Sequence, residues 1–67
     1  MYSFEIPHKE FERLLETAPL SDEEKRIAIM KRKGYSNIQV CMELNISDRT
    51  LSRRIHKIAV KFAKEYL

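Results

Sequence analysis

Residues 36–58, SNIQVCMELNISDRTLSRRIHKI, carry two amphipathic segments separated by a three-residue break. Ser36 and Gln39 have the spacing of a capping box, in which each side chain satisfies an amide that a helix start leaves without a partner. Val40, Cys41 and Leu44 then share one side of a helix of about two turns, residues 37–44, with Ile38 at its flank. Asn45 ends it. The backbone has to turn left-handed there, and Asn tolerates that conformation best after Gly. Ser47 caps a second helix at once. Along it Leu51, Ile55, Ile58 and Phe62 form a narrow apolar stripe flanked by Ala59 and Tyr66. Arg49, Arg53, His56, Lys57 and Lys64 lie roughly opposite, with Val60 among them. Two helices joined by such a corner have the spacing of a helix-turn-helix.

Upstream, Ser21 and Glu24 form another capping box, and Asp22, Glu23 and Glu24 fill the positive first turn of a helix. Lys31, Arg32 and Lys33 suit its negative end, and Gly34 supplies a left-handed cap. Ile27, Met30 and either Ala28 or Ile29 should face inward. Before this helix, Phe11, Leu14, Leu15 and Ala18 repeat at i, i+3, i+4, i+7. Pro7 suits the first position of that helix, and Pro19 ends it by Glu16 or Thr17. The opening MYSFEI alternates apolar and polar residues, as an extended arm or short strand would. The expectation is an all-α, small four-helix domain with a short extended N-terminal arm and a long C-terminal helix over residues 48–66. It divides into an arm and helix (1–19) and a helix-turn-helix core (20–67).

Sixty-seven residues make one small domain, with a core that is marginal unless helix packing or self-association supports it. The lone Cys41 rules out an internal disulfide, and one Cys with distant His8 and His56 gives no metal-ligand spacing. Nothing in the sequence calls for a cofactor or a small-molecule ligand. No apolar run reaches the roughly 18 residues of a membrane span, and no signal-peptide core follows Met1. With an unpaired thiol, a cytoplasmic protein is expected. Starting at Met1 suits a complete small protein, and an excised domain would read the same. No nucleophile–base pair, credible carboxylate pair or Gly-rich phosphate loop occurs, so no enzyme is expected.

The formal charge of +3 means little until it is placed. Residues 1–20 hold two basic and four acidic groups, whereas residues 48–67 hold six basic and two acidic. Positive charge therefore gathers on the last helix, as binding to a polyanion requires. A helix of this kind entering a major groove N-terminus first would offer Arg49, Ser52, Arg53 and His56 to base edges. An Arg fork matched to guanine is worth about 1–3 kcal/mol of discrimination. Asn37, Thr50, Arg54 and Lys57 are placed to hold phosphates. Asp48 reads as a dipole partner at the start of its own helix. For His56, base contact and ordinary solvation stay open. Cys41 reads as a small buried residue, and Tyr35 as packing over a helix end.

Residues 20–58, 39 of the 67, resemble the DNA-binding domain of LuxR-type (GerE-type) transcriptional regulators. The shared pattern is Leu20-Ser21, Glu24, Ile27, Gly34, Ser36-Asn37, Val40, Leu44, Ile46-Ser47, Thr50-Leu51 and Ile55. The segment is also similar to the C-terminal promoter-reading domain of sigma factors. The first resemblance implies base-facing roles for Ser52, Arg53 and His56. The second implies them for Asp48, Arg49, Ser52 and Arg53. Three departures stand out. Asn45 replaces the corner Gly, Cys41 replaces a small Ala, and the last helix continues where LuxR-type domains begin a separate short helix.

The expected function is sequence-specific double-stranded DNA binding by a small bacterial or phage transcription regulator, as a dimer or beside RNA polymerase. Its rival is a sigma-like protein-interaction module that docks on polymerase or an anti-regulator without reading DNA. A four-helix bundle with an incidental basic face is the blandest reading. A ribbon-helix-helix ranks lowest, since it would aim Glu5 at a polyanion. Phe62, Ala63, Tyr66 and Leu67 form either a dimer seam or a patch covered by the first helix, and cover within the chain is favoured.

Overall fold

A computed structural model describes residues 6–66, with side chains through residue 65. It has four helices, α1 (His8–Thr17), α2 (Asp22–Arg32), α3 (Asn37–Leu44) and α4 (Asp48–Tyr66), and no strand among the described residues. The alternation of residues 1–5 lies outside the described part. Ile6 packs half-buried against the core.

Each boundary has a local cause. Pro7 sits one residue earlier than expected, as the N-cap of α1 rather than its first turn, with φ −53° and ψ 144°. That ψ is the extended geometry of a cap, and the fixed proline φ suits it equally well. Ala18, held extended before Pro19, closes α1. The Ser21–Glu24 box is complete: the Glu24 N–H donates to Ser21 Oγ at 3.1 Å and the Ser21 N–H to Glu24 Oε1 at 2.9 Å. At the other end Gly34 has φ +97°. Its N–H reaches the Lys31 carbonyl and the Tyr35 N–H the Met30 carbonyl, both at 3.1 Å. These are the two bonds of a Schellman cap.

The Ser36–Gln39 box forms likewise, at 3.1 and 2.8 Å. Asn45 adopts the left-handed conformation at φ 55°, ψ 49°. Its N–H and that of Ile46 both turn back to the Cys41 carbonyl. Ser47 Oγ then accepts the Thr50 N–H at 3.2 Å and starts α4. A Cβ costs about 1–2 kcal/mol in the left-handed region, and Asn offsets part of that by hydrogen bonding locally through its short polar side chain, so Asn45→Ala is expected to lower stability by a fraction of that amount. Asn45→Gly should hold it, and thermal unfolding followed by circular dichroism compares the two.

One core joins all four helices: Phe11, Leu14 and Ala18 from α1 and its cap, Ile27 and Ala28 from α2, Val40 from α3, and Leu51, Ile55, Ile58 and Phe62 from α4. At about 1.5 Å per residue α4 is roughly 28 Å long, and it packs against each of the other three. Phe62 meets Phe11 edge to face, centroids 6.1 Å apart, with the Arg32 guanidinium 4.9 Å from the Phe11 ring centre. This covers Phe62 within the chain, while Ala63 stays exposed. Between the two candidates on α2, Ala28 is the inward residue and Ile29 is exposed. Cys41 corrects its expectation. It is half-buried, because it flanks the α3–α4 elbow rather than sitting beneath it.

Candidate nucleic-acid interface

Helix α4 has a buried side, two flanks and an outer side. Every third or fourth residue, Leu51, Ile55, Ile58 and Phe62, is buried, which fixes the rotation of the helix and so determines which residues face out. Arg49, Ser52, Arg53, His56 and Lys57 are all exposed. Among the described residues no carboxylate lies within ion-pair distance of Arg49, Arg53 or Lys57. The expected base-facing residues Arg49, Ser52, Arg53 and His56 thus share one solvent-facing strip. Ser52, Arg53, His56 and Lys57 line an open depression of about 330 Å³.

The expected phosphate-holding residues are distributed differently. Thr50, Arg54 and Lys57, with Arg53, line a recess of about 360 Å³ on the side of α4 toward α2. Thr50 is half-buried, and its Oγ1 accepts from the Ser47 hydroxyl at 3.0 Å. Arg54 is paired through Nε with Glu23 of α2. Asn37 stands apart at the start of α3, half-buried, with Oδ1 accepting from Lys31 Nζ at 2.8 Å. Lys31 also donates to the Tyr35 carbonyl at 3.1 Å. The amide nitrogen is the end of Asn37 that a phosphate would use.

The flanks of α4 are tied to its neighbours by opposite chemistry. Arg54 and Lys61, seven residues apart, share the flank toward α2. There Lys61 Nζ donates to Glu24 Oε1 at 2.7 Å. Glu24 is 5% exposed and so completes two tasks, capping α2 and anchoring α4. Burial alone would raise its pKa. The Lys61 ammonium and the Ser21 amide and hydroxyl together outweigh burial and lower it. On the other flank Asp48 accepts from the Cys41 thiol at 3.3 Å. Asp48 therefore bridges the elbow as well as meeting its own helix start. Desolvation, then the hydrogen bond and negative charge of Asp48, raise the thiol pKa, which favours the thiol over the nucleophilic thiolate.

A carboxyl with a depressed folded pKa stabilises the fold fully above its unfolded value, about 4.3 for Glu. That contribution is lost as pH falls through the lower folded value. Urea midpoints of the parent chain should therefore drop in acid. Glu24→Gln should be less stable at neutral pH and lose less on acidification. Equal acid slopes in both proteins would remove Glu24 from the account.

Sequence reasoning found the strip but missed Lys61 and the carboxylates gripping α4. The signal for Lys61 was its seven-residue spacing from Arg54. No similar signal linked Cys41 to Asp48. No group was found that gathers three or more metal-ligating side chains among the described residues. No helix among them is long and apolar enough to cross a membrane. Compared with known protein families, curated proteins and solved structures, the chain finds no match in any of the three.

Proposed function

We propose that this domain is a sequence-specific double-stranded DNA-binding protein, a small bacterial or phage transcription regulator that acts in the cytoplasm and is not an enzyme. In this reading α3 and α4 form a helix-turn-helix of the LuxR-type or sigma C-terminal kind. Helix α3 crosses the phosphate backbone and α4 enters the major groove, about 12 Å wide and able to admit a helix.

The observation that carries the reading is the outer strip of α4, where Arg49, Arg53 and Lys57 stand exposed with no carboxylate paired to them among the described residues. The carboxylates that do touch α4 lie on its flanks, so they leave this strip cationic. Arg49, Ser52, Arg53 and His56 take the base edges. Asn37, Thr50, Arg54 and Lys57 take phosphates. A single module of this size buries only about 600–1,000 Å² of protein surface on DNA, which favours a homodimer on paired half-sites or action beside RNA polymerase.

The test is selection of duplexes from a random pool, followed by affinity against salt. Log K should fall by about 0.9 per phosphate contact for each log unit of salt. Retention of no consensus and no salt dependence would reject the reading.

One observation favours a second reading, the sigma-like module that docks on RNA polymerase or an anti-regulator without reading DNA. Ile38 and Met42, one turn apart on α3, are 68% and 77% exposed. Such an apolar pair suits a protein partner. Alanine at both positions separates the readings: under the first it spares salt-dependent duplex binding, and under the second it abolishes capture by purified polymerase.

A further inference from the structure

Two of the cations on α4 are gripped from α2, and they are gripped at different atoms. Lys61 meets Glu24 with its ammonium, the only charged atom it has. Arg54 meets Glu23 through Nε, the inner nitrogen of its guanidinium. The two contacting atoms, Arg54 Nε and Glu23 Oε1, are shut off from solvent. The side chains as wholes are nevertheless 39% and 36% exposed. Burial is thus confined to the joint, and the terminal nitrogens of Arg54 lie beyond it. The recess on that side is lined by Arg54 together with Thr50, Arg53 and Lys57. It offers three cationic side chains and one hydroxyl, at the i, i+3, i+4, i+7 positions of a single helix face.

We propose that Glu23 is a positioning residue for DNA binding. It holds Arg54 by Nε so that the outer edge of the guanidinium, with Thr50 and Lys57, forms a seat for one backbone phosphate. The inference rests on the reading of α4 as the DNA-facing helix. The Nε contact is an ion pair without hydrogen-bond geometry, and four of the five guanidinium N–H donors belong to the terminal nitrogens beyond it. A planar fork held at its base meets a phosphate oxygen pair with little further ordering.

The opposing effect is repulsion, because Glu23 brings a negative charge near the phosphate. At the width of a guanidinium, about 6–7 Å, that repulsion is about threefold in affinity through bulk water and some tens of fold at the effective dielectric of about 20 that suits a protein surface. The rotamer freedom of a loose Arg is worth up to about thirtyfold. The two effects are of the same order, and the sign of the change in Glu23→Gln decides between them.

The experiment measures binding of the full chain to its selected duplex by fluorescence anisotropy over a range of salt, with thermal unfolding of each variant alongside. Glu23→Gln is expected to weaken binding about three- to tenfold, although it adds a positive unit of net charge. Arg54→Ala should weaken binding as much or more and lower the salt slope by about one phosphate contact. In the Arg54→Ala background, Glu23→Gln should change nothing further. Arg54→Lys keeps the charge but lacks Nε, so it too should bind weakly and be insensitive to Glu23→Gln. This keeps the test intact if one variant folds poorly.

Tighter or unchanged binding by folded Glu23→Gln would overturn the proposal, as would an equal loss in the presence and absence of Arg54. A parent chain that shows no salt-dependent duplex binding would sink the underlying reading. That outcome is distinct from a parent chain that binds and a Glu23→Gln variant that binds just as well.

Discussion

Replacing Arg53 with Ala is expected to cost the domain about 1–3 kcal/mol of discrimination at one base pair, which is roughly five- to 150-fold in affinity for the preferred duplex. Arg53 sits in the middle of the exposed strip of α4, between the core-facing Leu51 and Ile55. It borders both depressions on that helix. Lys57 borders both as well, and of the two Arg53 carries the planar fork. The loss should be uneven. Duplexes altered at the base pair that Arg53 reads should bind the parent and the variant almost alike, while other duplexes keep their ranking. Removing Lys57, by contrast, should weaken all duplexes uniformly and reduce the salt slope by about one contact. A selection repeated with Arg53→Ala gives the answer directly: an unchanged consensus would exclude Arg53 from base reading. Thermal unfolding should hardly move, because surface substitutions away from special contacts usually stay within about 0.5 kcal/mol.

The second large effect concerns the fold. Ile58 is fully buried, on the α4 turn between Ile55 and Phe62. Ile58→Ala removes its transfer energy and leaves a cavity, for about 2–5 kcal/mol. A single core in a domain under about 70–80 residues rarely supplies more than about 3–5 kcal/mol. The variant should therefore be largely unfolded at 37 °C, with most of its helical circular dichroism lost. Leu51→Ala is expected to behave alike. Ile38→Ala and Met42→Ala remove side chains of similar size from exposed positions on α3, and these should unfold near the parent temperature. A cooperative melt of Ile58→Ala within a few degrees of the parent would mean that the four helices do not depend on one shared core.

What could be read from the residues, and what could not, follows the range of the forces involved. Both capping boxes, the left-handed Gly34 and Asn45, and the stripe on α4 depend on neighbours within four residues, so the chain order contains them. Pro7 misplaced its helix start by only one residue because the same fixed φ serves a cap and a first turn. The arrangement of cations was only half legible. Helical periodicity separates the exposed face of α4 from its buried face, and it put Arg49, Ser52, Arg53 and His56 together. Periodicity is silent about partners. Whether Arg54 faces water or a carboxylate depends on where α2 lies, and Glu23 is thirty-one positions away in sequence. Glu24 had a sufficient local explanation as a cap, which hid its bond to Lys61 across 37 positions. Cys41 and Asp48 are only seven apart, yet the left-handed corner between them had to be built before their contact was visible.

Helix α4 closes the core with one side and displays its chemistry with the other, and this has a consequence for evolution. The displayed positions bear little of the folding energy, so they are free to drift. A descendant of this chain can exchange Arg49, Ser52, Arg53 or His56 for other side chains without first acquiring a new architecture. The freedom stops at insertions. One extra residue between Leu51 and Ile58 would rotate everything downstream by more than a quarter turn, exposing what was inside and hiding what was outside. Substitution is open to this lineage, and changes of length within the helix are closed to it.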